Sequence, residues 1–215
     1  MGLLELIGQT TSKGRYGNGA RVPVTGTRDG AIYVADYVKA MAMEGKVFIA
    51  AHGVATTPIN FLAVASYAAG LPQLAIDVPA GTVIIPVSIQ VYFETTGGVL
   101  AECYAQTSTN IVGAGTSTAV TPLCTRNSGG QTTACTVYGS HTGAGTTPTA
   151  TREFWRAGHP VAIVAGVPNI YTYHVNDYPP QVIVGAGGMQ VFVLCTTSAT
   201  GYIKASWIEL LSTEI

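Results

Sequence analysis

Residues that could do chemistry are few in this 215-residue chain, and they are poorly spaced for it. Its four histidines, His52, His141, His159 and His174, are scattered. Asp36, Asp77 and Asp177 are candidates to complete a Ser–His–Asp set. No serine, however, stands in the G-x-S-x-G turn that would present it as a nucleophile. Ser140, just before His141 in a glycine-flanked loop, is the weak exception. Glu94 and Glu102 are the one candidate pair of carboxylates for glycosidic chemistry. They are expected on opposite arms of a hairpin over 83–106, facing solvent. Cys103, Cys124, Cys135 and Cys195 form no CxxC pair and have no histidine at zinc spacing, so no metal site is expected. Cys103 and Cys195 read as small core residues. Cys124 and Cys135 flank a turn, Arg126-Asn127-Ser128-Gly129-Gly130, and could face each other as free thiols or as a disulfide. Gly185-Ala186-Gly187-Gly188 superficially resembles a phosphate loop, but a strand-like run follows where a dinucleotide site needs a helix. These residues point to a protein with no catalytic residues, no cofactor and no metal.

The elements that would position them are strands. Lys, Arg, Asp and Glu make up only 10% of the chain, against roughly 25% in an ordinary soluble domain. Apolar residues make up 47% and the net charge is −1. A monomer with so few charges is a poor colloid, so much of its surface is expected to be covered by partners. The same balance argues against coating nucleic acid, which needs clustered Lys and Arg. A membrane helix is not expected either, because His52, Pro58, Asn60 and Pro72 break the apolar region that starts at Val47. The start of the chain, Met1 to Ile7, reads as too short for a signal peptide, so synthesis in the cytoplasm is expected.

Residues 1–46 hold six of the ten basic residues and read as an extended basic arm. Within it, 31–44 suits either a short helix capped by Gly45 or a strand through Ile32–Val38. The body, 47–215, alternates strands with Gly/Pro turns. Strands are expected at Leu74–Val78, Thr82–Phe93, Val99–Gln106, Pro160–Ala165, Ile170–Val175, Gln181–Val184, Met189–Cys195 and Tyr202–Leu211. Asn60–Gly70 reads as helical or irregular. Pro86 inside the second run implies a bulge, an edge or a break. Residues 107–159, rich in Thr and Gly, read as long surface loops with strand pieces at Ala119–Leu123 and Ala134–Tyr138. This pattern predicts a mainly β, jelly-roll-like sandwich preceded by an extended N-terminal arm. Phe154, Trp155 and Arg156 are candidate subunit-interface anchors, as are Tyr171 and Tyr173, which cluster with His174, Asn176 and Tyr178.

The final strand carries Ser206-Trp207-Ile208-Glu209 after a Gly-rich turn and a strand like Met189–Cys195. Together with Asp36-Tyr37 through Gly45-Lys46-Val47-Phe48, it resembles tailed-bacteriophage virion proteins of the jelly-roll type. The resemblance covers about a third of the chain and does not extend to 107–159. It implies a capsid decoration (cement) protein: a homotrimer on the capsid surface, bound to the major capsid protein of the same virion. In that setting Lys13, Arg15, Arg21 and Arg28 would contact an acidic shell. The competing expectations are a tail or receptor-binding head, or a carbohydrate-binding module using Tyr171, Tyr173 and Trp155.

Overall fold

A computed structural model describes residues 6–7, 21–22, 37–61, 68, 70–95, 101–128, 130–143, 145–159 and 169–215. The elements in chain order are β1 (Leu6–Ile7), β2 (Arg21–Val22), α1 (Tyr37–Met43), β3 (Val47–His52), β4 (Ile59–Phe61) and β5 (Leu74–Val78). There follow β6 (Thr82–Thr95), β7 (Ala101–Ser108), β8 (Thr116–Val120), β9 (Leu123–Cys124) and β10 (Thr136–Gly143). The last are β11 (Arg152–His159), β12 (Asn169–His174), β13 (Ile183–Val184), β14 (Gly187–Cys195) and β15 (Ala199–Leu211). The chain is mainly β, with two antiparallel sheets packed as a sandwich. One runs β12-β6-β15-β3-β9, with β13 beside β6 and β4 beside β15; the other runs β11-β7-β14-β5-β10-β8. Set aside the two-stranded sheet β1–β2, the short strands β4, β9 and β13 and the insert strands β8 and β10. The rest then pair first with last (β3–β15), second with second-last (β5–β14), third with third-last (β6–β12) and the middle two together (β7–β11). That nesting is the jelly-roll pairing.

The nesting corrects one expectation. Residues 83–106 are not a hairpin, because β6 lies in the first sheet and β7 in the second. Glu94 and Glu102 are therefore on different sheets and are not cross-strand neighbours. Pro86 marks a bulge. Ser206 faces Ser88 and Trp207 faces Pro86, which leaves Val87 with no opposite residue on β15.

The stretch 107–159 is also not simply loop. It supplies β8 and β10 to the second sheet, β9 to the first, and the whole of β11. Thr-rich strands with one solvated face lack the apolar alternation that sequence reading relies on. In β11 a register shift between Glu153 and Trp155 breaks the period of two. The expected strand Pro160–Ala165 and most of Asn60–Gly70 lie outside the described residues.

The core lies between the sheets. Phe48, Phe61, Val91, Phe93, Ile203 and Trp207 come from the first sheet, and Leu74, Ile76, Cys103, Val137, Met189 and Val191 from the second. Trp207 is fully buried and stacks on Phe48, its cross-strand partner, with ring centroids 6.1 Å apart. A second cluster sits on the outer face of the first sheet. There Met41 of α1 covers Val47, Val87, Ile208 and Leu210. Of the two readings of 31–44, the helix is the one seen over Tyr37–Met43. Gly45 ends it at φ 75°, with Lys46 N–H donating to Met41 O and Gly45 N–H to Ala42 O, a Schellman cap.

Trp207 fills the centre of this core. Trp207→Ala is expected to lower stability by about 3–5 kcal/mol, read as a reduced midpoint in urea denaturation.

Candidate functional site

Three groups of residues invite a functional reading. The first joins the two sheets. His52, at the end of β3, and Ser140, on β10, share a hydrogen bond of 2.8 Å between Nε2 and Oγ. Two backbone features allow it. Gly139 has no Cβ, and one placed there would stand 2.4 Å from the His52 ring. Ser140 adopts a left-handed φ of 50°, uncommon outside glycine.

A serine, a neutral histidine and an unusual backbone together invite comparison with a nucleophilic dyad. The surrounding hydrogen bonds give that chemistry little support. Asp77, the carboxylate nearest in role, accepts from Val112 N–H at 2.9 Å and Gly113 N–H at 2.7 Å. The N–H groups of Ser140 and His141, where an oxyanion hole would be sought, donate to Gln73 O and Pro72 O. His141 is fully buried, and its Nε2 donates to Gly113 O at 3.2 Å. Asp77 and His141 thus hold one loop, 112–113, on the second sheet. His52 and Ser140 fasten the first sheet to it. Sequence reasoning named these residues but could not pair His52 with Ser140, which lie 88 positions apart.

The second group is the seam where edge strands β11 and β12 meet. Tyr171 and Tyr173 point inward from β12. Phe154 meets Tyr173 edge-on at 5.3 Å, and Phe93 meets Tyr171 edge-on at 5.8 Å. Tyr178 stacks on Tyr173 at 5.4 Å. Trp155 and Tyr173 are buried within this chain's own core. Phe154 and Tyr171 are half-buried against the same core. Arg156 is exposed but engaged within the chain. It pairs with Glu153 and Glu102, and its guanidinium lies 4.9 Å from the centre of the Tyr104 ring. The Arg156 hydrogen bonds hold the Glu153 carboxyl below its ordinary range. The seam also carries unmet demand. Trp155 Nε1 and the hydroxyls of Tyr171 and Tyr173 are buried with no hydrogen-bond partner among the described residues.

The third group is the basic arm. Arg21 stands in β2, opposite Ile7. Lys13, Arg15 and Arg28 lie outside the described residues.

All four cysteines are free, so Cys124 and Cys135 are thiols. Burial pushes the Cys103 thiol well up and the Cys195 thiol up to about 11, so neither supplies a thiolate at neutral pH. No cluster of three or more His, Cys, Asp or Glu suited to a metal occurs among the described residues. Gly185–Gly188 runs straight into β14 rather than into a helix. No described helix is long and apolar enough to cross a membrane.

No protein-family model matches the chain, and no curated protein matches it.

Burial, and then the neighbouring His141, hold the His52 imidazole below its ordinary value. The unfolded chain therefore takes up this proton at a higher pH than the folded one does. The stability from neutral His52 is complete above about pH 6.5 and is lost as the pH falls from there. The melting temperature is expected to drop between about pH 7.5 and about pH 5.5, and His52→Gln is expected to flatten that slope. An unchanged slope in the variant would contradict the clasp.

Proposed function

We propose that this chain is a non-enzymatic virion structural protein, a capsid decoration (cement) protein that binds the outer shell as a homotrimer. Its work is mechanical: each trimer bridges capsid subunits and adds binding free energy that opposes internal pressure. The observation that carries this reading is a jelly-roll sandwich with very little charge. Closed symmetry hides apolar flanks without open-ended growth, and permanent interfaces of this kind are large and apolar. The basic arm supplies the contact to the shell through Lys13, Arg15, Arg21 and Arg28. The partners are the chain itself and the major capsid protein, with no direct contact to nucleic acid or membrane. The location is the virion surface, after synthesis in the host cytoplasm.

One observation favours a second reading, a receptor-binding head or carbohydrate-binding module. Tyr92 and Tyr202 stack at 4.7 Å on the outer face of the first sheet, beside exposed Gln90 and Lys204. Such a platform suits a sugar ring. Glycan binding lost in Tyr202→Ala would move the assignment there.

The shell contact is tested by sedimentation with empty shells of the same virion's major capsid protein. The intact chain is expected to pellet with the shells. Charge reversal of Lys13, Arg15, Arg21 and Arg28 to Glu is expected to leave it in the supernatant with its solution mass unchanged. An intact chain that never pellets, even at low salt, would contradict the proposal.

A further inference from the structure

Polar side chains buried on the outer face of the second sheet mostly have partners. Leu74, Ile76 and Val78 of β5 point into the core, so Gln73, Ala75 and Asp77 lie on the outer face. There Asp77 holds the loop at 112–113. Gln106 donates to Gln190 at 3.4 Å, Gln190 to Ser108 at 2.8 Å, and Ser108 to Asn110 O at 2.7 Å.

Gln73 is an exception. It is fully buried, yet neither its Nε2 nor its Oε1 has a hydrogen-bond partner among the described residues. Its backbone extends the β5 ladder: its N–H donates to Val191 O at 2.8 Å, and its carbonyl accepts from Ser140 N–H at 3.1 Å. His141 N–H donates to the adjacent Pro72 O at 3.1 Å, so His141 stands on the strand beside Gln73. The His141 ring shares the outer face, because its Nε2 meets Gly113 O and Gly113 N–H meets Asp77. His141 is fully buried too, and its Nδ1 has no partner among the described residues. Buried polar atoms left unpaired cost free energy.

The chemistry of these three atoms selects what pairs with them. With Nε2 donating to Gly113 O, His141 Nδ1 is an acceptor. Gln73 offers N–H donors at Nε2 and an acceptor at Oε1. Their partner must therefore accept from the amide and donate to two acceptors. A cation is repelled by the amide N–H, and an anion by Oε1 and Nδ1. An apolar group satisfies none of them. Water fills both roles and is small enough for an enclosed site.

We propose that Gln73 and His141 bind a resident internal water beside the loop at 112–113. The water donates to His141 Nδ1 and so fixes the tautomer whose Nε2–H holds Gly113 O. Gln73 is a positioning residue for that loop, acting through the water and His141. The site is independent of the assembly reading.

The test is a crystal structure of the full chain at a resolution that shows ordered water, with Gln73→Met as the variant. The intact chain is expected to show a water within hydrogen-bonding reach of both the Gln73 amide and His141 Nδ1. A Gln73 amide bonded directly to His141, or a dry site, would overturn the proposal. Gln73→Met removes both amide atoms while keeping a side chain of similar length. It is expected to lower the midpoint in urea. It is also expected to move the His141 ring, read by nitrogen NMR, from the single Nε2–H tautomer to a mixture. A midpoint that rises, or His141 nitrogens that stay unmoved, would each overturn the water link. If the variant does not fold, the water in the intact chain decides alone.

Discussion

The pairing of the last strand with the first strand of the body is the constraint on which the rest depends. β15 pairs with β6 along nearly its whole length and with β3 from Ile203 to Ile208, and Trp207 in that shared stretch is sealed beneath Phe48. The contact joins residues about 160 positions apart, so it forms only when nearly the whole chain is present. Once it forms, the remaining strands have little choice: each later strand pairs with an earlier one in nested order. A fold dominated by such distant pairings is expected to fold slowly. It is also expected to be cooperative, because no half of the chain buries its own apolar face.

Within that frame, several polar groups fasten the structure. Asp77 holds the loop at 112–113, and His52 reaches across the sandwich to Ser140. Arg156 ties Glu102 to Glu153 along the β7/β11 edge. Among the described residues, the exposed positions are largely Thr, Ser, Gly, Ala and scattered apolar residues.

The body strands were legible where apolar residues run continuously and Gly or Pro marks the turns. Leu74–Val78 and the run from Met189 to Leu211 are examples, and of the bulge, edge or break that Pro86 implies, the register shows the bulge. The hairpin at 83–106 was misread because adjacent strands in a chain usually pair, whereas a jelly roll sends them to opposite sheets. In the insert, the strand pieces expected at Ala119–Leu123 and Ala134–Tyr138 overlap β8, β9 and β10, whereas β11 gave no signal because its register shift between Glu153 and Trp155 breaks the period of two. Composition alone marks Trp155 and Tyr173 as interface candidates, and the fold packs both into the core. The His52–Ser140 clasp had no local signal at all. It depends on Gly139 making room for a ring from the other sheet.

The central claim is that this sandwich is a subunit that assembles with copies of itself. Light scattering on the purified full-length chain at micromolar concentration tests it most directly. The account predicts a stable species of three times 22.2 kDa that persists on dilution. A well-behaved species of 22.2 kDa would contradict it and would turn attention to the tyrosine platform on the first sheet.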